Sequence, residues 1–467
     1  MTRPNRTSSP ALPFGLGALA TVALTLPALA QEAAGVAAES ANAVEPAVTA
    51  VVSTVDKGDT TWMLLSTILV IAMTIPGLAL FYGGLVRAKN MLSVLMQVFS
   101  GFCMISLLWV IFGYSLAFNG ASEGGLSAFI GDFSAMFLSG ITPDSVAATF
   151  TDGVEIPELT FVIFQLTFAA ITPALIVGAL AERIKFGAVM TFMAIWFTFS
   201  YLPIAHMVWF DGGLLFNMGA YDFAGGTVVH INSGIAGLVA ALILGPRKGF
   251  LKEPMPPHNL TFTFIGACLL WVGWFGFNAG SNLEATGLAA QAVLNTIVAP
   301  AAAALTWSLA EKFTRGHASL LGAASGAVAG LVAITPAAGF AGAMGAMALG
   351  AVAGVVCFWA VVTLKPMMKY DDALDVFGIH GVGGIVGALG TAIVASPMLG
   401  GFPLDGYTMG GQFMTQLIAV IIAVAWSAVV AAVAMLIAKA LFGGARVSDS
   451  DEHDGLDISS HGEHAYN

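Results

Sequence analysis

Charge is scarce in this chain. Lys, Arg, Asp and Glu make up 9% of its 467 residues, where a soluble domain carries about 25%. So few charges leave no means of covering a water-exposed surface, which excludes a soluble globular fold. Basic residues are fewer still, 16 against 27 acidic ones, and form no patch that would suit nucleic acid. Cysteine is nearly absent. Cys103, Cys268 and Cys357 each lie in an apolar run with no Cys-x-x-Cys spacing. Neither a disulfide framework nor a thiolate metal site is expected, and their expected role is core packing. Apolar residues fill the space instead: 58% of the chain, with 55 glycines and a mean hydropathy of +0.88. This is the composition of a polytopic membrane protein, surrounded by lipid and packed backbone to backbone through small residues.

The first thirty residues read as a cleaved secretory signal peptide. MTRPNR is the basic start, ALPFGLGALATVALTLP the apolar stretch, and Ala28-Leu29-Ala30 the small-residue cleavage site before Gln31. Residues 31–58 read as a loose external tail. Runs of about 20 apolar residues then mark membrane spans. Eleven are expected: 62–84, 91–118, 159–180, 187–208, 223–245, 260–280, 286–310, 318–337, 340–364, 374–396 and 411–442. Thirteen of the sixteen Lys and Arg follow odd-numbered spans; the other three are Arg3, Arg6 and Lys57. The even-numbered loops hold none. The positive-inside rule then puts the N-terminus outside and the C-terminus in the cytoplasm.

Residues 222–238, DFAGGTVVHINSGIAGL, have a second copy at 372–388, DALDVFGIHGVGGIVGA. With His230 and His380 aligned, an Asp lies eight residues before each (Asp222, Asp372). Gly lies four and seven residues after each, and Ile five after. The copies fall in spans five and ten, and an offset of five helices inverts the topology. The expected fold is therefore an all-α polytopic membrane protein with eleven transmembrane helices: an inverted 5+5 repeat plus a final long helix. Functional sites of such folds lie near the midplane, at the repeat interface. Eight residues of helix span about 12 Å, and the apolar core is about 30 Å thick. The two histidines therefore approach the centre from opposite sides. Ionisable residues in that position are functional by default. Two adjacent imidazoles in a dry passage offer one donor and one acceptor, which suits a small neutral polar molecule or a relayed proton. Asp372 is read as a helix cap. For Asp222, capping and stabilisation of a cation remain equal alternatives.

Several segments resemble a known family: FYGGLVRAKN (81–90), GALAERIKF (178–186), PIAHMVW (203–209), DFAGGTVVHIN (222–232), GWFGFNAGS (273–281), TPAAG (335–339), DVFGIHGV (375–382) and the tail GLDISSHGEHAYN (455–467). Together they are similar to the ammonium transporters of the Amt/MEP/Rh family, on its bacterial Amt branch. The resemblance covers residue 59 to the C-terminus, with 59–442 as the membrane domain and 443–467 as a cytoplasmic regulatory tail. It implies a homotrimer in the bacterial cytoplasmic membrane with one pore per subunit. It also implies transport of ammonium and methylammonium, and a PII signalling protein that docks on the inner face. No cofactor, metal or enzymatic activity is implied. On this resemblance His230 and His380 are the twin histidines, and Phe168 and Phe277 the stacked gate, with Phe164 one turn earlier. Trp209, Phe168 and Ser281 form the external cation site. Asp222 lies beneath it and joins the histidines in a proton relay. Trp274 and Thr335 line the wall. One departure stands out: where the family often has Trp-Gly-Gly-Gly, this chain reads Trp209-Phe210-Asp211-Gly212-Gly213, and Trp209 to Asp222 is one residue longer than usual.

The residue types fit the chemistry. Aromatic faces attract a cation by about 0.5–2 kcal/mol, and a serine hydroxyl accepts an N–H bond. Moving a bare cation into a dry apolar medium costs on the order of 20 kcal/mol, and no ring of oxygens is evident to replace its hydration. The expected mechanism is therefore loss of a proton below the external site and passage of neutral ammonia, with the proton possibly relayed separately. Three other readings compete. The first is an ammonium sensor using the same site. The second is a neutral-gas channel of the Rh type, against which Trp209 and Ser281 count. The third is a membrane metalloenzyme, for which His206, His230 and His380 supply too few ligands. The spacing of His453, His461 and His464 makes no convincing metal site.

Overall fold

A computed structural model describes residues 54–120 and 125–466. The expected signal peptide, and the expected tail up to residue 53, lie outside the described residues. Among the described residues, eleven membrane-length helices follow one another: α1 (Lys57–Leu85), α2 (Ala88–Phe118), α3 (Glu158–Leu180), α4 (Phe186–Asn217), α5 (Gly226–Leu244), α6 (Leu260–Gly280), α7 (Gly287–Arg315), α8 (Leu320–Ala337), α9 (Ala343–Met368), α10 (Phe377–Val394) and α11 (Met409–Leu441). Each falls on an expected span. The first begins five residues early because Asp56 caps it, accepting from the backbone N–H of Asp59. Residues 54–58, expected within a loose tail, are ordered. Thr54–Val55 (β1) pairs in parallel with Val154–Pro157 (β3), which pairs antiparallel with Val146–Ala148 (β2). This small sheet braces the loop after α2.

Burial follows the repeat. Over their most apolar windows, α3 and its mate α8 are each 78% buried, whereas α2 and its mate α7 are 33% and 39% buried. The two central helices thus occupy equivalent places in the two halves. The pair α4 and α9 breaks the rule, at 67% and 39%. The cause is α11, which packs along α4, α5 and α10 and has no counterpart against α9. Cys357 is buried as expected. Cys103 and Cys268 are exposed on the apolar outer surface, so the core-packing expectation holds for one of the three.

The repeated glycines explain how the halves meet. A Cβ on Gly234 would stand 2.2 Å from the backbone nitrogen of Gly381, and one on Gly384 would stand 3.0 Å from that of Ile231. These are the glycines four residues after each histidine, and they let α5 and α10 cross in backbone contact. The glycines seven residues after serve the second contact. Gly237 packs on Ala179 of α3, and Gly387 on Ala333 of α8. The same sequence pattern therefore makes the same two contacts in each half.

Lys and Arg side chains gather on one face, and there a buried ion network ties the loops together. Arg87 reaches Glu182 at 2.6 Å, Arg247 reaches Glu182 at 3.2 Å, and Arg247 reaches Asp371 at 2.8 Å. The chain segments after α1, α3, α5 and α9 are thereby joined. Burial alone would raise Glu182, but Arg247 and Arg87 hold it below the ordinary carboxylate value. Asp371 is lowered by Arg247 in the same way, against its own burial. The C-terminal segment packs on this face as two short helices, α12 (Asp449–Asp454) and α13 (Leu456–His461). Asp457 accepts from the backbone N–H groups of Leu92 and Ser93 at the start of the long part of α2, and Asn90 accepts from Leu456.

Candidate substrate pathway

On the face away from the basic residues, a vestibule of about 260 Å³ is lined chiefly by aromatic rings, Phe168 and Trp209 among them. Phe168 comes from α3, and Trp209 ends the continuous helix of α4 before its last short turn, Leu214–Asn217. After Trp209 the chain turns at 210–213, where Gly213 donates to the Phe210 carbonyl and Gly212 has φ +104°. Phe210 stacks on His206. The Trp209 ring meets Phe168 edge-on at 5.8 Å, and its Nε1 donates to the Asp222 carbonyl. Ser281 also lines the vestibule. Its hydroxyl donates to the Phe277 carbonyl at 2.8 Å, which leaves the oxygen's lone pairs free to accept.

The floor of the vestibule is closed by Phe168 stacked on Phe277, with ring centroids 4.2 Å apart. Phe164 packs edge-on against Phe168 at 5.0 Å and lines neither cavity of the pathway; it braces the ring that does. Below the stack is a cavity of about 10 Å³, lined by Phe277, Trp274, His230, His380 and apolar neighbours. That is about the space one water needs. Both histidines sit in π-helical turns, Gly226–Ile231 and Phe377–Gly381. Such turns are frequent at functional sites. Their Nδ1 atoms are 3.2 Å apart, so one ring donates and the other accepts. The Nε2 of His230 has no partner. Trp274 stacks on His230 at 5.4 Å and donates through Nε1 to the Thr335 hydroxyl. Thr335 lines neither cavity and acts by fixing that indole. Phe81 borders this cavity and also a wide one of about 650 Å³ on the basic face.

Asp222 is buried, and both carboxylate oxygens are engaged. Oδ1 accepts from the N–H of Gly225; Oδ2 accepts from Thr227 and Val228. It borders neither the vestibule nor the histidine cavity. Its symmetry mate Asp372 accepts from Phe377 through Oδ2 and leaves Oδ1 unpartnered. His206 stands apart from the histidine pair, its ring nitrogens against the carbonyls of Ala117 and Ser127. Among the described residues, no group of three His, Cys, Asp or Glu is placed to hold a metal.

Among the lining residues given no role in the sequence reading are Gln165, three residues before Phe168, which faces the vestibule, and Phe81, the first residue of the segment 81–90, which borders both lower cavities. The signal for Gln165 was a polar residue within an apolar span, on the helix face of the gate.

An inverted-repeat bundle with an aromatic vestibule, a closed ring stack and a one-molecule cavity beside paired imidazoles is the architecture of a transporter for a small solute. The comparisons identify which. The model of the Ammonium Transporter Family matches residues 61–466, and the chain belongs to that family. It is 48% identical over 416 residues to the ammonium transporter of Aquifex aeolicus, covering 88% of this chain and 94% of the other. It is 44% identical to that of Bacillus subtilis, covering 88% and 98%. Among solved structures, Saccharomyces cerevisiae Mep2 superimposes with a TM-score of 0.77 at 35% identity, covering 86% of this chain and 90% of the other. A protein described as a sensor Amt protein gives the same score at 26% identity, covering 86% and 98%.

Proposed function

We propose that this transporter recruits ammonium at the vestibule formed by Trp209, Phe168 and Ser281, that the ion gives up one proton to the imidazole pair below that site, and that ammonia passes the Phe168–Phe277 stack and the His230–His380 pair. The observation that carries this reading is the 10 Å³ cavity beneath the closed stack. It admits one small molecule and offers imidazole nitrogens in place of a hydration shell. A bare cation faces a cost on the order of 20 kcal/mol there; neutral ammonia does not. The proton leaves through the imidazole pair. Asp222 serves as the cap of α5, because three backbone N–H groups already engage its carboxylate.

The vestibule faces the outside, the N-terminus lies outside and the C-terminus in the cytoplasm of a bacterial cell, as the one-sided placement of Lys and Arg supports. The resemblance adds a homotrimeric assembly and a PII protein docking on the basic face, where the tail is folded against the loops. The test is the current evoked by an ammonium pulse on proteoliposomes, with potassium as control. Wild type is expected to give a current with ammonium alone. His230→Ala is expected to abolish it or to admit potassium. A selective, undiminished current in that variant would sink the mechanism. Absence of both current and methylammonium uptake in the folded wild type would favour a sensor.

A further inference from the structure

The vestibule is poor in hydrogen-bonding groups. Among the described residues twelve line it, no carboxylate among them, and of these only Gln165 and Ser281 carry side-chain oxygens. Trp209 spends its one donor on the Asp222 carbonyl. Gln165 lies on α3 three residues before Phe168, hence on the same helix face. Its Oε1 is buried without a partner. Polar atoms in that condition are uncommon and call for a cause. With no hydrogen bond holding the amide, a two-fold rotation about its last torsion would present the oxygen to the vestibule.

We propose that the Gln165 carboxamide oxygen is a second acceptor for the vestibule ammonium, beside the Ser281 hydroxyl, and that it sets the preference for ammonium over its alkylated analogue. The inference rests on the recruitment reading given above. Ammonium presents four N–H groups. The faces of Phe168 and Trp209 attract it without directional bonds, so the oxygens supply the directional ones. Each is charge-assisted and therefore stronger than a neutral pair. Methylammonium has three N–H groups and a methyl group that needs apolar surface, so it gains less from a second oxygen. Potassium gains little, since two neutral oxygens fall far short of the ring of carbonyls by which that ion is dehydrated.

The experiment compares Gln165→Leu, Gln165→Met and Gln165→Glu with the wild type in proteoliposomes, reading half-saturating concentration and maximum current for ammonium and methylammonium. Both apolar variants are expected to raise the ammonium half-saturation about tenfold, the effect of losing one charge-assisted hydrogen bond. They should raise that of methylammonium less and leave the maximum current near wild type, as loss of uniform binding does. Gln165→Glu should lower both half-saturations. Wild-type half-saturation in the apolar variants, with Ser281→Ala still raising it, overturns the role of Gln165 alone. If neither Ser281→Ala nor Trp209→Leu raises it, the recruitment reading itself falls. Equal shifts for the two substrates overturn the claim about preference.

Discussion

Thr335 touches no part of the lumen, yet it holds the indole on which His230 stacks. Replacing it with valine keeps the volume and leaves the Trp274 Nε1 buried and unpaired, a loss of about 1–3 kcal/mol. Thr335→Val should therefore lower the thermal stability of the purified protein and reduce ammonium current, while potassium stays excluded. Calorimetry in detergent and the proteoliposome assay check both parts. Residues of this kind are hard to place from sequence. Thr335 sits in a matched motif, so its importance was legible, but which neighbour it serves depends on a helix sixty residues away. Asp222 was harder still. Its aspartate type suits both a cap and a cation site, and the three N–H groups that favour the cap reading are brought to it by the local turn rather than marked in the sequence.

At the scale of elements, the crossing of α5 and α10 puts the imidazoles together. A methyl group on Gly234 would meet backbone atoms of Gly381 at 2.2 and 2.4 Å. Backbone cannot rotate away as a side chain does, so Gly234→Ala should cost at least the roughly 1–3 kcal/mol of ordinary overpacking, a large fraction of a marginal net stability. The expected outcome is a lower melting temperature and loss of current. Gly287→Ala, where an added Cβ meets nothing within 4 Å, should match the wild type in both measurements. The eleven spans were legible because each is long and uniformly apolar, and the inverted repeat because its glycines recur at fixed offsets from a histidine. The π-helical turns that carry those histidines were not legible, since no residue type marks a single widened turn.

For the whole molecule, the Arg87–Glu182–Arg247–Asp371 network is the fastening of four chain segments on one face. Removing one partner of a buried ion pair costs about 3–5 kcal/mol, because the other charge is left uncompensated. Glu182→Gln is expected to lower the melting temperature strongly. The sign of the pH dependence follows from the depressed carboxyl: its contribution is full above its ordinary value of 4.5 and is lost as the pH falls below that. Wild-type stability should therefore decline on acidification below that value, and the part of the decline due to Glu182 should vanish in the variant. Melting curves across pH 3–7 test both statements, the range being about that over which carboxylates titrate. The loops holding these charges come from distant parts of the sequence, which is why their pairing could not be read in advance, although their common face could. The glycine crossing carries one more consequence, for ancestry. Each half contributes one imidazole and one member of every contact that joins them, so a chain of half this length could build the pathway only as two copies inserted upside down relative to each other. Fusion of the two would have turned an orientation left to chance into one written in the sequence, with α11 later breaking the equality by packing along α4 with no counterpart along α9.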